Sequence, residues 1–155
     1  MAPVRTLDRR WWVAIAAVAV VAVAFVVSEV FFRGPSQECR PVVELLEFNK
    51  AQSEQIAAHA GAADTLPTVA DDAAYQQWAD GLAQRAQQIN DPNLSGTAIR
   101  LADLASQFVA KLPQMRAAAE THTPGAPTPD VVHDMNFLNA RISQETAELT
   151  AACVN

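Results

Sequence analysis

Residues 94–119 read LSGTAIRLADLASQFVAKLPQMRAAA. Leu94, Ala98, Leu101, Ala105, Phe108, Leu112, Met115 and Ala119 recur at alternating steps of four and three. That is a seven-residue apolar repeat, the seam of a helix packed at a shallow angle on its neighbours. Pro113 falls inside the repeat and has no N–H to donate, so the pattern predicts a kink near Val109 to Leu112. A seam of this length needs partners to cover it.

The flanking sequence supplies them. Upstream, Asp71 and Asp72 suit a helix start, where carboxylates meet the positive end of the dipole. Tyr75, Trp78, Leu82, Ala86 and Ile89 form a stripe, and Asn90-Asp91-Pro92 ends it. Further upstream, a segment from Pro41 to Ala60 carries Val42, Leu45, Leu46, Ile56 and Ala60 on one face, interrupted by Asn49 and Ser53, and Gly61 stops it. Downstream, Thr128-Pro129-Asp130 reads as a cap, a first-turn proline and an acid. Val131, Met135, Leu138, Ile142 and Leu149 carry that helix on to Cys153. No segment alternates with period two or holds an Asn-Gly turn, so strands are not expected.

Four amphipathic helices with short connections predict an antiparallel, up-down-up-down four-helix bundle. In that topology the start of the first helix and the end of the fourth share one end. Cys39 and Cys153, the only cysteines, stand at those two positions. An oxidising compartment would join them in one disulfide.

The N-terminus is a different object. From Trp11 to Val27 every residue is apolar, and the run extends through Ser28 and Glu29 to Phe32. At 1.5 Å per residue, residues 11–32 make roughly 33 Å of helix, enough for a hydrocarbon core of about 30 Å. Arg5, Arg9 and Arg10 precede it, and Trp11, Trp12, Phe31 and Phe32 mark its two interfaces. Positive charge before the span predicts a cytoplasmic N-terminus and an external C-terminal domain. A cleaved signal peptide would be shorter and end in small residues, which Val27-Ser28-Glu29-Val30 does not offer. The expected organisation is a cytoplasmic tail at 1–10, a transmembrane anchor at 11–32, a tether at 33–40 and an extracytoplasmic bundle at 41–155. Ala17, Ala24 and Ser28 fall near one face of the anchor, and Glu29 lies close to its outer end. They are the candidates for contact with a membrane partner.

Charge divides at the same boundary. Residues 1–34 hold four arginines against two acids; residues 35–155 hold seven bases against fifteen acids, a net −8. A domain that acidic repels phosphate, which argues against nucleic acid as a partner. The search for catalytic chemistry yields no constellation. His59, His122 and His133 stand in no Glu-x-x-His or His-Glu-x-x-His motif, and no Cys-x-x-Cys-His or Gly-x-Ser-x-Gly occurs. No catalytic residue, metal site or cofactor is therefore expected. Tyr75, Trp78, Phe108, Met115 and Met135 read first as core and second as the lining of an apolar ligand pocket. Phe48 and Phe137 complete the domain's aromatic set, with Phe137 off its stripe. The polar stripe residues Asn49 and Ser53 are candidates to face Arg85 or Glu145.

High alanine, nine arginines against only Lys50 and Lys111, and an Arg-bearing tail before a Trp-started span resemble single-pass membrane proteins of high-GC actinobacteria. Mycobacterial proteins of unknown function share this layout, with two cysteines bracketing a helical exported domain. The resemblance covers composition and layout, implies a cell-envelope location and carries over no functional residue. The leading expectation is a non-enzymatic, membrane-anchored accessory or scaffold protein with a membrane or envelope protein partner. The alternative is a helical bundle that binds a lipid, haem or another small apolar molecule.

Overall fold

A computed structural model describes residues 35–59, 67–123 and 126–154. The expected anchor span, with Ala17, Ala24, Ser28 and Glu29, lies outside them. Among the described residues no helix is long and apolar enough to cross a membrane. Residues 35–155 form a compact unit of their own.

That unit is all-helical, with four α-helices and no strand among the described residues. They are α1 (Arg40–His59), α2 (Asp72–Ala86), α3 (Pro92–Thr121) and α4 (Asp130–Cys153). A 3-10 turn at Val69–Asp71 leads into α2. Thr68 donates both its N–H and its hydroxyl to Asp71 Oδ2, at 2.7 and 2.8 Å, which fixes the entry.

The start of α3 shows how local chemistry sets a boundary. Asp91 is its N-cap, and Oδ1 accepts from the N–H groups of Asn93 and Leu94 at 3.0 and 2.9 Å. Pro92 takes the first helical position, where a missing N–H costs nothing. Asp91-Pro92 thus opens α3 as well as following α2. Pro113 does not interrupt α3, which runs on to Thr121 with that proline exposed. At α4 the expected Thr128 cap is corrected: Pro129 holds the N-cap position, without a side-chain hydrogen bond. α1 begins at Arg40.

Successive helices pack on one another, and α1 also meets α4. Val42, Leu45, Leu82, Leu101, Leu112 and Leu149 are fully buried. Ala79, Ala86, Ala98 and Ala105 are buried beside them and let the helix backbones approach closely. The repeat of α3 is buried at Ala98, Leu101, Ala105 and Leu112, half-buried at Leu94, Phe108 and Met115, and ends at an exposed Ala119.

Polar ties between helices and one covalent bond hold the helices in register. Arg116 on α3 grips Asp72 at the start of α2 through two bonds of 2.7 and 2.9 Å. Those bonds push the Arg116 guanidinium further above its already high ordinary pKa. Lys111 on α3 meets Asp134 on α4 at 2.7 Å. Cys39 and Cys153 form a disulfide with a Cα–Cα distance of 5.3 Å. It joins the residue before α1 to the last residue of α4 and closes a loop with a sequence separation of 114.

Candidate functional site

The seam between α1 and α4 is packed less closely than the three seams between successive helices. Beyond the disulfide it opens into a cleft of about 880 Å³. Its size follows from the side chains on its walls. α1 presents Asn49, Ser53 and Ala57 at four-residue spacing; α4 presents Ser143, Ala147 and Ala151 at the same spacing. These residues are too short to reach across, so the gap is left unfilled. Ser53, Ala57, Ser143 and Ala147 are exposed.

The floor comes from α2 and α3. Tyr75 and Trp78 meet Phe108 there, with ring centroids 6.1 and 6.3 Å apart. Trp78 stands edge-on to Phe108 at 88°, a favoured aromatic geometry. Ile56 and Ile142 complete the apolar surface. The indole Nε1 of Trp78 donates to Asn49 Oδ1 at 2.8 Å. That bond satisfies the polar atom of a side chain that is 7% exposed, so the indole needs no further partner. Burial, with a smaller contribution from nearby Asp71, raises the Tyr75 phenol above its ordinary pKa.

Three of the aromatic and sulfur residues singled out from the sequence therefore come together: Tyr75, Trp78 and Phe108. The other two do not. Met115 lies in a separate hollow of about 330 Å³ with His122, Pro129 and Val132. Met135 is buried in the core, whereas His133 beside it in sequence is exposed. Among the described residues no group of three His, Cys, Asp or Glu is arranged to hold a metal ion.

The polar stripe is also resolved, and differently from expectation. Asn49 faces Trp78 instead of Arg85 or Glu145. Arg85 donates to the Gly81 carbonyl at 3.1 Å and lies 3.7 Å above the centre of the Phe48 ring. Glu145 occupies the vacant place in the α4 stripe, between Ile142 and Leu149, with 3% of its side chain exposed. Its Oε2 meets Arg100 Nε at 3.1 Å and its Oε1 meets Arg141 Nη2 at 3.6 Å. The Nε of Arg141 is buried without a hydrogen-bond partner. Phe137 is exposed, with the Arg141 guanidinium 5.9 Å from its ring centre.

The walls of the cleft were not visible in the sequence as a site. Ser143, Thr146, Ala147 and Thr150 carry no motif, and exposed small residues on a helix are ordinary. Their regular spacing with Ala151 was the available signal. No family model matches the chain, and comparisons with curated proteins and with solved structures find no match.

Proposed function

We propose that this chain is a non-enzymatic accessory or scaffold protein of the cell envelope. Its segment 11–32 anchors it in the membrane, and an acidic, antiparallel four-helix bundle stands on the outer face. The observation that carries this reading is the disulfide between Cys39 and Cys153. A bridge of this kind forms and persists in an oxidising compartment. It closes a domain that follows an apolar run, uncharged from Trp11 to Val27, with arginines on its N-terminal side. Within the anchor, Ala17, Ala24, Ser28 and Glu29 are the proposed contacts with a membrane partner. Crosslinking in native membranes, with the full chain as bait, is expected to recover a stoichiometric envelope protein. Leucine at Ala17, Ala24 and Ser28 should weaken that recovery. Recovery of the bait alone would refute the scaffold reading.

The α1–α4 cleft favours a second reading, a module that binds a small apolar molecule. Its volume falls in the range of small-molecule sites, and aromatic side chains form its floor. A hydrophobic compound detected by mass spectrometry in the purified full chain would support it.

A further inference from the structure

Resting on that second reading, we propose that the cleft binds an uncharged lipid, with a hydrocarbon body on the aromatic floor and a hydroxyl or ester group at the rim. The argument begins with charge. Among the described residues, none that lines the cleft is Asp, Glu, Lys, Arg or His, although the domain around it carries seven bases and fifteen acids. The outer groove between α1 and α2 offers a contrast, because Asp80 and Arg85 line it. A carboxylate or phosphate in the α1–α4 cleft would lose water without gaining a counterion, inside a domain of net −8. An ammonium would find no carboxylate among the described lining residues. The lining thus selects against either sign of charge.

The hydrogen-bonding groups point the same way. The Trp78 N–H is already used by Asn49, so the indole asks nothing polar of an occupant, and the Tyr75 phenol is an uncharged group beside it. Thr146 and Thr150 donate their hydroxyls to the carbonyls of Ile142 and Thr146, each at 2.8 Å, and keep oxygen lone pairs free to accept. The amide of Asn49, held by its oxygen, keeps its N–H groups to donate. An alcohol or an ester carbonyl matches such a mixed, uncharged rim.

Shape separates this ligand from a docked helix. Among the described residues α4 supplies wall from Asn139 to Ala151, but α1 faces it over Asn49 to Ala57 alone, about 12 Å or a little over two turns. That is short for a helix in a groove and sufficient for a folded hydrocarbon chain. The deepest part is a ring-lined floor, against which such a chain packs closely.

The test uses the full chain in phosphatidylcholine nanodiscs, with Trp11→Phe and Trp12→Phe so that Trp78 is the one remaining tryptophan. Oleyl alcohol, oleate and oleylamine share one hydrocarbon body and differ only in head group. Oleyl alcohol should shift Trp78 emission to the blue with saturation. The two charged probes should bind at least about tenfold more weakly, since an unpaired charge would be desolvated. Ser143→Phe and Ala147→Phe fill the cleft from exposed positions and should abolish the response at unchanged far-ultraviolet helix content. Equal binding of a charged probe would overturn the uncharged-lipid assignment and leave the second reading standing. A saturable response that survives both variants would place the site elsewhere and overturn the proposal. No saturable response from any probe would overturn the proposal and the second reading together.

Discussion

Replacing Gly81 by alanine should destabilise this domain, although the same change in an exposed helix interior stabilises by about 1 kcal/mol. Gly81 lies inside α2, and the tip of the Phe48 ring points at it. A β-carbon built there would stand 2.6 Å from Cε1 and 3.1 Å from Cε2, and closer still to Cζ. Carbon atoms in contact need about 3.5 Å, so the ring has to retreat by roughly 1 Å or more. Retreat disturbs the stacking of Arg85, now 3.7 Å above the ring centre, which is worth about 0.5–1 kcal/mol. Overpacking of this kind costs about 1–3 kcal/mol, so the net effect should be a loss of about 1 kcal/mol. Urea unfolding of residues 35–155, followed by circular dichroism, reads this as a lower midpoint at unchanged slope. The same substitution in a Phe48→Ala background meets no ring and should stabilise by about 1 kcal/mol. The two sites should therefore couple by about 2 kcal/mol. Stabilisation by Gly81→Ala of the same size in both backgrounds would refute the close approach of ring and backbone.

The remaining predictions concern the other ties of the fold. Cys39→Ser with Cys153→Ser should cost up to about 5 kcal/mol in the chain-entropy model, and reductant should lower the urea midpoint of the parent but not of the double variant. Glu145→Leu combined with Arg100→Met should be neutral or stabilising by about 1–4 kcal/mol, because it replaces both partners of a buried ion pair with apolar side chains. Arg100→Ala, which leaves that carboxylate with only the longer Arg141 contact, should lower the urea midpoint; no change would argue that Glu145 is not desolvated. Tyr75 is the one tyrosine of the chain, so phenolate absorbance reports it alone. Its folded pKa is raised by burial, so the native state holds the proton more tightly. The stability this confers is complete below the unfolded pKa, near 10, and is lost as pH rises through the folded value. The native midpoint should exceed that of the urea-unfolded chain, and coincident midpoints would count against a buried phenol.

Helix content was legible because periodicity is a local property. The repeat through Ala98, Leu101, Ala105 and Leu112 is buried as its spacing demands, and Asp91-Pro92 caps α3 through bonds to residues two and three positions away. The disulfide was legible for another reason: Cys39 and Cys153 are the two cysteines of the chain, and they flank the four described helical segments. The partners of polar residues were less accessible. Asn49 pairs with a residue 29 positions away and Arg100 with one 45 positions away, and no local pattern encodes either distance. Glu145 shows the limit clearly. Its place in the α4 seam could be counted from Leu138 and Ile142, but the guanidinium that makes burial tolerable belongs to α3.

Periodicity, breaker residues and composition were enough to place the helices, to divide the charge between a basic N-terminal region and an acidic domain, and to mark the two cysteines available for closure. That Tyr75, Trp78 and Phe108 share one floor, and that Ser143 and Ala147 edge a cleft instead of plain surface, emerged from helix packing. A small side chain looks the same in sequence whether it faces solvent, a neighbour or a gap. Which of these it faces depends on the spacing of α1 and α4, two helices far apart in the chain. That spacing is set by packing along the other three seams and by the disulfide at one end.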